Sequence, residues 1–323
     1  MKKILPEKKI RAVLKTFPLQ KKSSKKFYFT PLVNTPVERA DSTVAGIKKK
    51  LTQELKSQRE PFQKILSKDT KKVPQAKEFI TTGVPGFDAL LDQGIPKGAS
   101  VLVAGGTGTG KTIFCLQTLF NAAKKGEKCL YLSFEESEER LKQHLNDFGW
   151  NWQELEKKGL LKIIRKEPFT LTTSIEAMLA KAKGELLIDI NEVLEIIPKG
   201  FQPDRIAIDS ITAIASAFGK KEEGYRIFIE QLFRYLESLP VTSFLISETE
   251  QMPTIYSSSG TEEFLADGVI VLYAIQRGNI RENAIEVLKL RGAKHQKKIV
   301  AMQITDKGIE VYPEQEVFGD IGK

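Results

Sequence analysis

The segment Gly105-Gly106-Thr107-Gly108-Thr109-Gly110-Lys111-Thr112 combines glycines, one lysine and a hydroxyl at the spacing G-x-x-x-x-G-K-[ST]. That spacing suits one kind of ligand, a polyphosphate. Glycines admit backbone conformations closed to other residues, so successive N–H groups can turn inward onto phosphate oxygens. A helix starting at the loop adds partial positive charge beneath them. In this pattern Lys111 reaches the β- and γ-phosphates, and the Thr112 hydroxyl ligates Mg²⁺.

Two further segments carry matching chemistry. Arg205-Ile206-Ala207-Ile208-Asp209-Ser210 is an apolar run ending in a carboxylate. Asp209 would emerge at the carboxyl end of a buried strand, where open α/β sheets bind ligands, and could hold Mg²⁺ through water. Leu130-Tyr131-Leu132-Ser133-Phe134 ends in the pair Glu135-Glu136. A carboxylate there can orient and deprotonate the water that attacks a γ-phosphate. Side chains alternate faces along a strand, so only one of the pair should meet that water. The same glutamates also read as first-turn acids favoured by a helix dipole, and the spacing leaves both readings open.

The elements needed to position these groups are legible. Ala99–Ala104 reads as a buried strand before the loop, and Ile113–Phe120 as the helix after it. Strands are expected near 99–104, 128–134, 161–165, 204–209, 242–247, 268–274, 284–290 and 300–304. Helices are expected near 111–124, 137–147, 173–197 and 222–238. Alternating strands and helices imply an α/β fold with a mostly parallel central sheet flanked by helices. The last strands follow one another without helices, so the sheet should finish in antiparallel C-terminal hairpins. There is no internal repeat.

The chain has 323 residues and a net charge of +9, unevenly spread. Residues 1–78 hold 21 Lys and Arg against 7 Asp and Glu, a net of +14, and the remainder nets −5. Within this extension, Lys21-Lys22-Ser23-Ser24-Lys25-Lys26 precedes Phe27-Tyr28-Phe29, a mixture able to hold and stack on nucleic acid. An aromatic foot docked on the chain's own fold is the competing reading. Val44, Ile47, Leu51 and Leu55 fall at helical spacing opposite a lysine face, which fits a partner protein, anionic lipid, nucleic acid or self-packing. Residues 67–74 read as a linker. The domain division is therefore 1–78 for a basic extension, partly helical or disordered, and 79–323 for the nucleotide domain. No apolar run approaches the ~20 residues of a membrane-spanning helix, and the basic start lacks a signal peptide's apolar region. Cys115 and Cys129 lie in apolar segments and suit a reducing cytoplasm. Only two histidines, His144 and His295, are present, and they are far apart in sequence.

Taken in order, Phe79-Ile80-Thr81-Thr82-Gly83-Val84-Pro85-Gly86-Phe87-Asp88, the phosphate loop, Phe134-Glu135-Glu136, Ile208-Asp209-Ser210, Lys289-Leu290-Arg291-Gly292-Ala293-Lys294-His295 and Ile304-Thr305-Asp306-Lys307-Gly308-Ile309 resemble the KaiC branch of the RecA-type P-loop ATPases. The resemblance covers about residues 79–313. It implies a RecA-like core binding ATP and Mg²⁺ between neighbouring subunits, usually in a six-membered ring. Glu135 and Glu136 match the family's paired glutamates, the first being the base. Lys289 and Arg291 match its Lys-x-Arg finger to the neighbour's γ-phosphate, and His295 and Lys297 its contacts farther along that nucleotide. Read without the resemblance, Lys289 and Arg291 form one polar face of an ordinary edge strand.

Departures limit what carries over. Clock proteins of this family hold two such domains in tandem, and this chain holds one. Glu263-Phe264 stands where their phosphorylated domain has Ser and Thr, so autokinase activity is not expected. Ser257-Ser258-Ser259 reads as a loop, and Ala293 replaces a small hydroxyl residue. The resulting expectation is a cytoplasmic, ring-forming, Mg²⁺-dependent ATPase acting as a regulatory or signalling module. Its basic segment would meet a protein partner or nucleic acid. The alternatives are a nucleotide-gated scaffold with little turnover and a DNA-associated, recombinase-like ATPase.

Overall fold

A computed structural model describes residues 77–170, 196–219 and 222–317. The extension, with its basic-aromatic cluster and amphipathic helix, lies outside the described residues up to 76. So does the helix expected over 173–197, apart from its last two residues, which are not helical.

A short antiparallel ribbon opens the fold, β1 (Phe79–Ile80) with β2 (Ile95–Pro96). The nine-stranded sheet comprises β3 (Ser100–Gly105), β4 (Cys129–Ser133), β5 (Leu161–Arg165), β6 (Arg205–Asp209), β7 (Thr242–Glu248), β8 (Gly268–Arg277), β9 (Ile280–Leu290), β10 (Val300–Thr305) and β11 (Gly308–Glu316). Its spatial order is β11-β10-β9-β8-β3-β7-β6-β4-β5. Strands β8 through β5 pair in parallel, and β9, β10 and β11 continue one edge antiparallel. The expected strands are all present, each within a few residues. The structure adds β11, the two-residue strands β1 and β2, and the hairpin end of β9.

Helices among the described residues are α1 (Lys111–Lys124), α2 (Glu138–Asp147), α3 (Trp152–Lys157), α4 (Ile211–Phe218), α5 (Glu222–Ser238) and α6 (Glu262–Leu265). Side-chain alternation on the strands builds a core on each sheet face. Val101, Val103 and Tyr131 pack with Phe114 and Leu119 of α1. Leu102, Leu130 and Leu132 pack with Phe228 and Leu232 of α5. Strand β3 is buried along its whole length between β7 and β8, as a continuous apolar run in a parallel sheet should be. The phosphate loop therefore hangs from a fully buried central strand.

Arg205 fixes the lower edge of this sheet. Only 2% exposed, its guanidinium forks onto both carboxylate oxygens of Glu127 at 2.6 Å and donates to the Thr81 carbonyl at 2.7 Å. It ties the start of β6 to the α1–β4 turn and to the segment following β1.

Candidate nucleotide site

The loop between β3 and α1 is shaped by its glycines. Gly108 has φ 78 and Gly110 has φ 97, both in the left-handed region. A Cβ on Gly105 would stand 2.4 Å from the Leu272 carbonyl oxygen, and one on Gly106 would run into Gln251. Over Gly108 there is open space. Thr109 is buried, and its hydroxyl donates to the Gly106 carbonyl at 2.9 Å, so it braces the loop from inside. Lys111 lies beneath, its Nζ donating to the same carbonyl at 2.9 Å and standing 3.9 Å from the Glu248 carboxylate. Burial pulls its ammonium below the ordinary lysine range, against the charges of Glu248, Asp209 and Glu135.

Beside the loop, the Thr112 hydroxyl donates to Asp209 at 2.9 Å and the Tyr131 hydroxyl donates to the same oxygen at 2.5 Å. Burial pushes the Asp209 carboxyl up to about 6; the two hydroxyls act against that shift and Glu135 adds to it. Asp209 and Thr112 thus stand within hydrogen-bond distance of each other beside the loop.

The paired glutamates diverge. Glu135 receives the Ser210 hydroxyl at the end of β6. Glu136 turns to α2, where it meets Arg140 Nε at 3.0 Å and His144 Nε2 at 2.9 Å. Both backbone N–H groups donate to Ser133 Oγ, which holds the turn that splits them. Glu135 therefore faces the Asp209 side of the loop, and Glu136 pairs with the helix that follows.

Lys289 and Arg291 lie elsewhere. Val101 pairs with Gly268, and Gly268 with Leu290, so the end of β9 lies level with the beginning of β3, one strand away across β8. The phosphate loop starts four residues farther along β3, about 13 Å away along the strand direction alone. Lys289 Nζ donates to the carbonyls of Glu263 and Ala266 at 2.9 and 2.7 Å. The Arg291 guanidinium donates to those of Phe264 and Leu265 at 2.8 and 3.3 Å. Lys297 is exposed on the next loop. His295 forms a bridge with Leu91, and both its ring nitrogens are shielded from solvent without a hydrogen-bond partner.

Some residues at the loop escaped the sequence reading. Glu248 pairs with Gly105 in register, and Gln251 Nε2 donates to the Thr107 carbonyl at 3.1 Å. Ile304 and Ile309, which the sequence carries in the motif resembling the family's ending, come within 3.0 and 3.4 Å of a Cβ placed on Gly110, a contact with the loop that the motif does not specify. Glu248 and Gln251 belong to no motif of fixed spacing, so the sequence carries no signal for them.

The family model "ATPase: KaiC" matches residues 80–316. The chain belongs to the KaiC family of ATPases. It is 33% identical over 239 residues to a UPF0273 protein of Thermotoga maritima, covering 73% of this chain and 96% of that one. It is 32% identical over 246 residues to the circadian clock oscillator protein KaiC of a Nostoc species, covering 73% of this chain but 44% of the clock protein. Among solved structures, a KaiC-like protein of Pyrococcus horikoshii OT3 aligns with a TM-score of 0.60 and 31% identity, over 74% of this chain and 100% of that one. The fold is the RecA-like P-loop fold of this family, and the family is one of nucleotide-binding ATPases. No helix among the described residues is long and apolar enough to cross a membrane.

The residues present fit the family's ligands. The glycine cradle suits a triphosphate. Thr112 and Asp209 offer hard oxygen donors, and no group of three or more metal-ligating His, Cys, Asp or Glu occurs among the described residues. That donor set suits Mg²⁺, which keeps waters and takes its other ligands from phosphate.

Proposed function

We propose that this chain is a Mg²⁺-dependent ATPase that assembles head to tail, in a ring of six, and hydrolyses ATP at the junctions between copies. The observation that carries this reading is the separation of Lys289 and Arg291 from the phosphate loop of their own chain. Two cations at the opposite end of the sheet cannot serve that loop. They can serve the loop of a second copy stacked end to end.

In this reading the phosphate loop and Lys111 hold the triphosphate, and Thr112 and Asp209 hold Mg²⁺. Glu135 orients the attacking water and takes its proton. Lys289 and Arg291 of the neighbour neutralise charge that grows on the transferred phosphoryl group. Such a site works only once copies meet, which suits a regulatory or signalling module of the cytoplasm. The basic segment 1–78 would bring it to a protein or nucleic-acid partner.

Phosphate release from Mg·ATP, measured against protein concentration with Arg291→Ala in parallel, tests the reading. Activity per subunit should rise with concentration and collapse in the variant. A rate independent of concentration, or an unaffected variant, overturns the shared site. ATP binding without turnover at any concentration would favour a nucleotide-gated scaffold.

A further inference from the structure

The turn α6 carries a carboxylate that the site chemistry does not use. Glu262 is 0% exposed. It accepts the Tyr225 hydroxyl at 2.5 Å, the Ser259 hydroxyl at 2.7 Å and the Thr261 N–H at 3.1 Å. A buried carboxylate is costly unless its hydrogen bonds are satisfied, and satisfied in this way it locks its backbone. The following carboxylate, Glu263, is held by the Ser257 hydroxyl. Immediately after these anchors come four carbonyls, those of Glu263, Phe264, Leu265 and Ala266. They are the ones that receive Lys289 and Arg291. On the outer side Phe264 is 72% exposed, while Leu265 and Ala266 pack inward on the core and the Asp267 N–H donates to the Ser100 carbonyl at 2.8 Å.

We propose that Glu262 is the positioning residue of the finger: its buried carboxylate fixes the α6 turn whose carbonyls aim Lys289 and Arg291 at the neighbour's phosphates. The inference rests on the shared-site reading above. The cations themselves touch the reacting group; Glu262 acts through the backbone that holds them. Long, flexible cationic side chains lose much of their effect when their geometry is loose, and a misplacement near 1 Å can cost on the order of a hundredfold in rate. Three donors converging on one carboxylate supply the stiffness. Glu262→Gln keeps the volume but puts an amide N–H₂ where donors already point.

The test uses the full chain and mixed assemblies. Glu262→Gln should bind a fluorescent ATP analogue at its own loop as the parent does, while turnover falls on the order of a hundredfold. Mixed before assembly with Lys111→Ala, which lacks a working loop but keeps its finger, turnover should return. The mixture of Arg291→Ala with Lys111→Ala is the control. If the control recovers and the Glu262→Gln mixture does not, the positioning role is overturned and the shared site stands. If the control does not recover, the shared site fails and the inference falls with it. Should Glu262→Gln not fold, Tyr225→Phe removes one donor with little change in volume. It should lose about tenfold in turnover, the equivalent of one hydrogen bond, and recover in the same mixture. Unchanged turnover in Tyr225→Phe would overturn the role.

Discussion

The carboxylate of Glu135 accepts the hydroxyl of Ser210, the residue that follows Asp209 and caps α4 through the Ala213 N–H at 3.0 Å. Through this contact the end of β4 is latched to the end of β6 beside the phosphate loop. Glu136, one residue on, is spent on Arg140 and His144. The two glutamates therefore separate in a mutational experiment. Glu135→Gln should lower turnover by a factor on the order of a hundred or more while ATP binding is kept, because general-base contributions are of that size. Glu136→Gln should lower it less than about tenfold, since it removes surface pairs of small energy. Phosphate release alongside ATP affinity decides, and equal losses in both variants would sink the assignment.

Lys111 illustrates a site residue at odds with the fold around it. Its ammonium is desolvated by burial, which holds its pKa below the unfolded value. The sign follows from linkage: between the folded and unfolded pKa the unfolded chain binds more protons, so stability rises with pH through that window. Below it, the cost of the buried charge is fully present. Lys111→Met, which keeps the length and removes the charge, should raise the melting temperature of the ligand-free chain at neutral pH while abolishing ATP binding. A lower melting temperature would mean that the Gly106 and Glu248 contacts outweigh the desolvation.

Much of this was legible from residue types alone, and the rest depended on what meets what. The run Ser100–Gly105, the helix after it and the carboxylates at two strand ends follow from apolar continuity and a motif of fixed spacing. Strand order does not. Glu248 reaches Lys111 only because β7 lies beside β3, although they are more than a hundred residues apart in sequence. Gln251 enters the site by the same adjacency. Strand β11 was hidden by Pro313, which argues against a central strand, yet β11 is the outermost strand, where a missing N–H costs nothing to the ladder. Helix α4, Ile211–Phe218, buries Ile211, Ile214 and Phe218, but at eight residues without a charged side chain it offers too short a pattern to stand out from the strand before it. His295 matched the family motif, but its ring turns inward beside Leu91, a direction that no spacing specifies.

The Arg205–Glu127 pair should behave as a structural staple and nothing more. Arg205→Ala leaves Glu127, itself 30% exposed, without its fork and frees the Thr81 carbonyl. Removing one partner of a buried pair costs about 3 kcal/mol or more. Denaturant unfolding of the variant should show a loss of that size, with ATP affinity per folded molecule unchanged. A loss below ~1 kcal/mol would place the pair among ordinary surface bridges.

Both cysteines test the packing around the site. Cys115 on α1 and Cys129 on β4 are fully buried, and burial raises both thiols well above their ordinary range. The thiolate is the reactive form, so an aromatic disulfide reagent at mildly alkaline pH should find the native chain inert and titrate both thiols in urea. Rapid labelling of one thiol in the native state would show that α1 or the start of β4 opens locally.

Gly105 and Gly106 are adjacent, and both have a φ that other residues can adopt, yet the structure gives them different fates. A methyl on Gly105 would meet the Leu272 carbonyl oxygen at 2.4 Å, a backbone atom of the adjacent strand that cannot yield. A methyl on Gly106 would meet Gln251 at 2.7 Å, and Gln251 is a side chain. Gly105→Ala should therefore cost overall stability, by an amount typical of overpacking, about 1–3 kcal/mol, and no change at Gln251 should repair it. Gly106→Ala should weaken ATP binding by pushing Gln251 off the Thr107 carbonyl, and the double variant Gly106→Ala with Gln251→Ala should recover part of that loss. The coupling is read from a double-mutant cycle on ATP affinity. Strict additivity of the two changes would mean that Gln251 and the loop do not touch in solution, and would remove Gln251 from the site.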